Sequence, residues 1–529
     1  MPTATDDRPG ESTSQNDYAA DVRLGEVTEL PQNLKRQFYP PLVLLDALNA
    51  PTVLKRRSYN DSTHGDTYDP EKIFHHFVSR VALICQVEPN GDAVSSCVVL
   101  QEPDRVEYVF TSNHRTKKQL ASVAQALRGI LDMVPPMDEE SDKDDLEIRS
   151  KMLRAVLALS WCRVRRYLNA LSQELRPCMA SCERKGTERE KIASLTYTAA
   201  ELAKTAKTDD HDQFSFATEA VIRELESLRK DSYLFSLICR SVAVEHKQAN
   251  GMYWTEMCHI SDRLKAYKGA IDSMFIARDN WPELFETFEV RFIPSSSRMG
   301  NVLAGGAKTA AQLVRVCTSD KNILPELEAS VATLQNMHDI DDIINQTWTG
   351  GIKPVIHSEV QLHSWLESTG RTHPERFFGR YKFIGSSKPT CKLCSFYFDE
   401  HGTDVKVLPS HRNIYLQWRM PDVLDYGSPD DLEERKNVRK DLLHKIKKRV
   451  VADIVRTIKE KRADSQNHDS TDQRGRDLRS YLNASVADTM SSAMDNLSIV
   501  GEVDEVSDTV DTHTINFPGR DGLMLARRL

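Results

Sequence analysis

Two short motifs constrain this chain more than any other feature of its sequence: the triplet His357–Glu359 and the quartet Cys391–Cys394. One imidazole and two thiolates fill three positions of a tetrahedral zinc site, which leaves the fourth position for water. A carboxylate two residues from the histidine can carry protons for that water without binding the metal itself. The pattern predicts a Zn²⁺ site with Glu359 as its catalytic acid and base. Its expected metal ligands are His357, Cys391 and Cys394.

The residues around the two motifs predict that a helix begins at each of them. Leu362, Trp365 and Leu366 share one face of a helix that begins near His357. A strand signal at residues 380–385 precedes a second helix, whose first turn contains both cysteines on one side. The positive end of a helix dipole favours thiolates over thiols. This setting suits a metal site. The alternative interpretation is that His357 is a polar residue at a helix end and that the two cysteines are small residues of the core.

At these motifs the sequence resembles the cytidine and nucleic-acid deaminase superfamily. It is most similar to the Orientia-type nucleic-acid/nucleotide deaminase-like family of filamentous fungi. The resemblance covers about residues 352–423 and includes the segments I-H-S-E-V-Q-L, F-I-G-S-S-K-P-T-C-K-L-C-S-F-Y-F and I-Y-L-Q-W-R-M-P. It implies that the histidine and both cysteines bind zinc and that Glu359 is the general acid and base. The chain has Ser358 where the family most often has alanine, and Thr390 separates Pro389 from the first cysteine.

The fold class that the resemblance implies is α/β, with a cytidine-deaminase-like three-layer α/β/α core. Such a core needs a helix and two strands before the H-x-E helix, but the residues just before His357 contain no convincing hairpin. Strand signals at 93–100 and 105–110 could supply the missing strands. The helical region between them and the motif would then be a large insertion, which costs little closure entropy at a surface loop.

Asn113 would then lie where the superfamily often has a substrate-contacting asparagine. The alternative interpretation is that Asn113 caps the helix that follows it.

Changes in composition divide the chain into six segments. Pro135–Pro136 and an acidic run mark one break, after which about 200 residues show helical periodicity. The expected segments are a disordered N-terminus (1–33), an N-terminal α/β segment that forms the first part of the deaminase core (34–135), a helical region (136–345), a zinc deaminase-like segment (346–425), a basic amphipathic helix (426–462) and a mostly disordered tail (463–529).

The overall charge limits how the chain could bind a polynucleotide. The net charge is −8, so general coating of nucleic acid is not expected and any such binding must be local. Residues 432–462 form the most strongly basic segment. One interpretation is a docking surface for a polynucleotide or an acidic partner, and the other is a packed terminal helix with a solvated basic face. Its predicted apolar stripe is Val438, Leu442, Ile446, Val450, Ile454 and Ile458.

The sequence contains no apolar run long enough for a membrane span and no secretory signal, so we expect an intracellular protein, cytoplasmic or nuclear, that is not secreted. The motifs predict a zinc-dependent hydrolytic deaminase of a nucleobase, nucleotide or nucleic acid. Its expected substrate partner is a nucleotide or single-stranded nucleic acid. The alternative is a non-catalytic deaminase-fold scaffold whose helical region binds protein partners.

Overall fold

The computed structural model describes residue 19 and residues 25–52, 69–89, 91, 93–136, 142–184, 189–247 and 253–461. Contacts divide the chain into Met1–Gly475 and Arg476–Leu529, and all described residues lie in the first unit. No helix among the described residues is long and apolar enough to cross a membrane.

The described residues are mostly helical, with seven short strands. The strands are β1 (Glu26–Thr28), β2 (Ser95–Gln101), β3 (Val106–Ser112), β4 (Phe288–Phe292), β5 (Phe383–Ser386), β6 (Lys406–Val407) and β7 (Val423–Asp425). The α-helices are α1 (Gln32–Thr52), α2 (Pro70–Ile84), α3 (Lys117–Leu131), α4 (Asp142–Leu159), α5 (Trp161–Arg184), α6 (Ala193–Thr205), α7 (His211–Lys230), α8 (Ser232–Lys247), α9 (Tyr253–Asn280), α10 (Glu283–Glu286), α11 (Ala310–Cys317), α12 (Leu324–His338), α13 (Ile340–Gly350), α14 (Ser358–Ser368), α15 (Lys392–His401) and α16 (Pro429–Glu460).

Five strands form one mixed sheet in the order β4-β3-β2-β5-β6. The central strand β2 pairs antiparallel with both β3 and β5, while β4 and β6 are parallel to their neighbours. Side chains alternate across β2, so Cys97 and Val99 join one core cluster and Val98 and Leu100 join the other. Helices α2–α10 contribute to the first cluster, and α1 and α11–α16 contribute to the second. The mixed sheet therefore has helices on both faces.

The region predicted as helical, residues 136–345, is divided between these two faces. Helices α4–α10 follow α3 and pack on the face that also holds α2. The chain then returns to the sheet as β4, with Val106 opposite Phe288 and Phe110 opposite Phe292. Helices α11–α13 pack on the opposite face, with α1. Helical periodicity reveals an apolar face but not which side of the sheet will cover it.

Order begins earlier in the chain than its composition predicted. The segment expected to be disordered, residues 1–33, includes β1, which pairs with β7, and the buried Leu30. Arg439 of α16 donates hydrogen bonds to the carbonyls of Thr28 and Glu29. These partners are about 400 residues away in sequence, so local composition could not reveal them. Residues 1–18 and 20–24 of the predicted N-terminal segment and the whole predicted tail (463–529) lie outside the described residues.

The basic helix α16 packs against α1, α12 and α15. Five members of its predicted apolar stripe, from Leu442 to Ile458, are buried. The prediction is wrong for the sixth member, Val438, whose exposed fraction is 57%. At that turn of α16, Arg439 points inwards, because the carbonyl groups at the end of β1 accept its hydrogen bonds. Polar contacts therefore replace apolar packing at this end of the helix.

Gly385 lets α2 lie directly on β5. A Cβ at this position would lie 2.6 Å from the Ser79 backbone nitrogen and 2.7 Å from the Val78 carbonyl carbon. Replacing Gly385 with alanine should therefore lower the free energy of unfolding by about 1–3 kcal/mol, because backbone atoms must move. Denaturant titration measures this change. The control is Gly129→Ala in α3, where no atom lies within 4 Å of the new methyl group and helix propensity favours alanine. Equal stability of both variants would contradict this packing argument.

Candidate metal centre

The N-terminal ends of α14 and α15 bring the two motifs together. His357 is the N-cap residue of α14, and Cys391 is the N-cap residue of α15. The His357 Nδ1 atom lies 3.5 Å from the Cys391 sulfur and 3.4 Å from the Cys394 sulfur. All three residues are buried, and their potential ligand atoms lie within 4.8 Å of one another. Three residues from two distant motifs thus converge on one point.

The spacing of these donors fits a tetrahedral zinc ion. Zn–N bonds of about 2.0–2.1 Å and Zn–S bonds of about 2.3 Å, set at tetrahedral angles, place nitrogen and sulfur about 3.6 Å apart. The two measured nitrogen–sulfur distances, 3.4 and 3.5 Å, lie close to that separation. An imidazole with two thiols is also a donor set that zinc prefers. The residues present therefore fit the metal that the sequence implied.

The electrostatics of the two cysteines differ. Burial alone would raise the pKa of the Cys391 thiol, but its hydrogen bonds with Cys394 and the neighbouring His357 hold the pKa well below its usual range. Burial and the adjacent Cys391 raise the pKa of Cys394 well above its usual range. Two thiolates this close together in a buried position need a cation beside them.

Glu359 lies in the first turn of α14, and its exposed fraction is 3%. Burial raises the pKa of this carboxyl group, and the nearby His357 offsets part of that effect. The Ser358 hydroxyl donates a hydrogen bond to Glu359 Oε2 at 3.3 Å. A carboxyl group this close to the His357 ring is positioned for general acid–base chemistry.

A line of serine hydroxyls connects the motif to the sheet. The oxygen of Ser96 on β2 lies 2.7 Å from that of Ser386 on β5 and 2.8 Å from that of Ser358. Because Ser358 donates to Glu359, the donors can run in one direction from Ser386 through Ser96 and Ser358 to the carboxylate. A hydroxyl at position 358 is therefore accommodated by hydroxyl partners. Neither Ser96 nor Ser386 is predictable from the sequence as a partner of Ser358, because nothing local to either residue indicates this contact.

Asn113 lies immediately after β3 and is buried. Its Oδ1 atom accepts a hydrogen bond from the Ser358 backbone N–H at 2.8 Å. The alternative in which Asn113 caps the next helix is wrong. Thr116 is the N-cap residue of α3. Its hydroxyl accepts a hydrogen bond from the Gln119 backbone N–H, and the Gln119 side chain accepts one from the Thr116 backbone N–H. Asn113 thus contacts the H-x-E motif rather than α3.

Tyr415 is an aromatic residue near the candidate metal ligands, and its position was not predicted from the sequence. Its exposed fraction is 37%, and its ring centroid lies 6.2 Å from that of His357. The ring of His411, which is buried, lies edge-on to the Tyr415 ring, with the two centroids 5.7 Å apart. Both residues belong to the loop between β6 and β7. Sequence periodicity does not reveal a role for either residue, because loops have no periodic pattern.

One family model matches the chain. It is described as "OTT_1508_deam-like deaminase" and covers residues 356–422. The matched segment contains His357, Glu359, Cys391 and Cys394, and it supports a deaminase-family relation for this part of the chain. No curated protein matches the chain, and no solved structure matches it.

Replacing Cys391 and Cys394 together with alanine should remove one equivalent of zinc per chain, because two of the three proposed ligands are lost. Elemental analysis of the purified protein measures the metal. The control replaces Cys162 and Cys239, which lie outside the cluster, and should keep the wild-type zinc content. If the Cys391/Cys394 variant kept as much zinc as that control, the ligand assignment would be wrong.

Proposed function

We propose that this chain is a zinc-dependent hydrolytic deaminase of a nucleobase, nucleotide or nucleic acid. The observation that carries the proposal is the buried carboxyl group of Glu359 beside a buried set of one imidazole and two thiols. A structural zinc site has no use for such a carboxylate and normally has four protein ligands. The deaminase match over residues 356–422 supports the same conclusion.

His357, Cys391 and Cys394 would hold the zinc ion. When bound in such a site, zinc lowers the pKa of a water molecule in its open position. The protein contributes by keeping both thiols and the imidazole at the start of their helices, where the helix dipoles favour anionic ligands. The surrounding core also excludes other water, which strengthens every charge interaction inside the site.

Glu359 is the proton carrier of the proposed reaction. Water adds to the ring carbon that bears the amino group, the carbon–nitrogen bond breaks, and ammonia leaves as the carbon becomes a carbonyl. The Glu359 carboxylate accepts a proton from the attacking water and delivers protons to the ring nitrogen and the departing amine. The Ser358 hydroxyl bonded to Oε2 orients the carboxylate for these transfers.

We further propose that the deaminase core is split along the chain. Its first part would be α2, β2 and β3, and its second part would be α14, β5, α15 and β6. Support comes from the pairing of β2 with β5 and from the packing of α14 against β2, β3 and β5. Helices α4–α10 would then be an insertion, after which β4 adds to the β3 edge of the sheet.

Asn113 and Tyr415 are the proposed substrate contacts. The Ser358 N–H fixes the orientation of the Asn113 carboxamide, because Oδ1 accepts its hydrogen bond at 2.8 Å. A carboxamide held in one orientation suits recognition of a base by hydrogen bonding. The half-exposed ring of Tyr415, close to His357, suits stacking on a planar base.

The test is incubation of the zinc-loaded protein with cytosine- and adenine-containing bases, nucleotides, single-stranded DNA and single-stranded RNA. Ammonia release and a mass change of the base report the reaction. We expect turnover of at least one class. A folded, zinc-bound protein that is silent across the whole panel would contradict the proposal.

That silent outcome favours the second candidate, a deaminase-fold scaffold that binds protein partners through its helical region. The observation in its favour is the exposure of large apolar side chains on α4, α6 and α7. They are Leu146, Tyr197 and Phe216. Each of these side chains is available for contact with a partner.

A further inference from the structure

A second group of metal-ligating side chains lies at the opposite, C-terminal ends of α14 and α15. His363 and Glu367 are four residues apart on α14, so they share one helix face. His401 is the last residue of α15. The potential ligand atoms of these three residues lie within 4.8 Å of one another. The same helix pair thus brings ligand groups together at both of its ends.

The distances within this group suit a small divalent ion. His401 Nε2 lies 3.1 Å from Glu367 Oε1, and His363 Nδ1 lies 3.6 Å from Glu367 Oε2. Ligands about 2.0–2.2 Å from a tetrahedral zinc ion are separated by about 3.3–3.5 Å. The two histidine rings are nearly perpendicular, at 84°, with their centroids 4.8 Å apart. Only small side-chain shifts are needed to place one ion between all three groups.

The neighbours of His363 orient its ring for metal binding. Its Nε2 atom lies 3.0 Å from the Thr403 hydroxyl oxygen, which also accepts from the Val405 N–H. These contacts hold the ring with Nδ1 towards Glu367 and 3.0 Å from the Tyr397 hydroxyl oxygen. Metal-binding histidines typically have such a second hydrogen bond. Binding would exchange the Tyr397 contact for a metal bond.

The group is also accessible to an ion. His363 is fully buried, whereas the side chains of Glu367 and His401 are 41% and 21% exposed. One wall of the site is therefore fixed by the core and the other faces solvent, which gives an entry path.

We propose that His363, Glu367 and His401 bind a second zinc ion. Two imidazoles and one carboxylate are an established donor set for this metal. The ion would join the C-terminal ends of α14 and α15, whose N-terminal ends hold His357 and the cysteines. Given a rise of about 1.5 Å per residue, the ligands of the two groups are about 9–15 Å apart along α14 and about 10–15 Å apart along α15. The second ion would brace the helix pair that positions the first site, and the assignment does not depend on the proposed reaction.

Elemental analysis of chelator-washed protein tests this site. We expect two equivalents of zinc in the wild type and one equivalent in both Glu367→Gln and His401→Ala. Glu367→Gln keeps the side-chain shape at a half-exposed position, so loss of folding does not explain its result. The matched control is His444→Ala, an exposed histidine on α16 outside the group, which should keep two equivalents.

Cobalt substitution separates the two sites. Thiolate-to-cobalt charge-transfer absorption reports only the site with Cys391 and Cys394, and it should persist in Glu367→Gln. If the wild type bound one equivalent of metal with this absorption and Glu367→Gln bound the same amount, the second site would be wrong and the first would stand. If the wild type bound one equivalent without this absorption and Glu367→Gln bound none, the second site would be supported and the first would be wrong. Two equivalents in Glu367→Gln would overturn the ligand assignment.

Discussion

A chain that begins at residue 136 should lose zinc binding at the His357 site completely, although it retains all three proposed ligands. The deletion removes β2, the central strand of the sheet, and with it the only antiparallel partner that β5 has among the described residues. It also removes Ser96 and Asn113, whose hydrogen bonds hold Ser358 in place. The apolar side chains that β5 and α14 bury against β2 would face water, so the ligand geometry should not form. Zinc content and circular dichroism of the purified fragment measure both effects.

The matched control is a chain that ends at residue 462. It lacks only residues beyond the described structure, and we expect it to keep its zinc. A fragment from residue 136 that folds and binds zinc as well as this control would show that the catalytic domain is contiguous. In that case α2, β2 and β3 would belong to a separate module, and Asn113 would have no place in the site.

Glu359→Gln should lower the deamination rate by about 10²–10⁴-fold on whichever substrate the panel identifies, because general acid–base catalysis typically contributes that much. Zinc content should not change, since Glu359 is not among the three clustered ligand residues. Glutamine preserves the side-chain shape and an oxygen that can accept from the Ser358 hydroxyl. The two readouts together separate proton transfer from metal binding. Single-turnover rates and elemental analysis provide the measurements.

Glu375→Gln is the control for this substitution, because its side chain is 63% exposed and it lies outside the ligand cluster. It should keep wild-type activity. If Glu359→Gln were as active as Glu375→Gln, the proposed proton carrier would be wrong. If it lost zinc as well as activity, Glu359 would hold the metal site together rather than move protons.

The local architecture of the candidate site was predictable because both motifs lie at helix starts. The periodicity of Leu362, Trp365 and Leu366 predicted the helix after His357, and the structure begins α14 at Ser358. Similar reasoning placed both cysteines in one first turn, and Cys391 is the N-cap of α15. Helix starts depend on neighbouring residues, so the sequence contains the information needed to locate them. The strands at 93–100 and 105–110 were predictable for the same reason, and they correspond to β2 and β3.

Long-range contacts could not be derived in this way. The order of β1 depends on β7, and the inward turn of Arg439 depends on the carbonyls beside β1. Val438 fits the apolar period of α16 but lies where no apolar surface covers the helix. Periodicity identifies which residues share a face, and only the packed chain decides what that face meets.

The sequence by itself determined the donor groups of the candidate site: an imidazole, two thiols and a carboxylate, at spacings that suit a zinc ion. Tertiary structure decided which distant segments complete that site, because hydrogen bonds such as Asn113 with Ser358 and Ser96 with Ser386 join residues hundreds of positions apart. It also placed His401 beside His363 and Glu367 at the far end of the same helices. The types and spacing of donors are local properties of a chain, whereas their convergence on a single point depends on how helices cross a sheet.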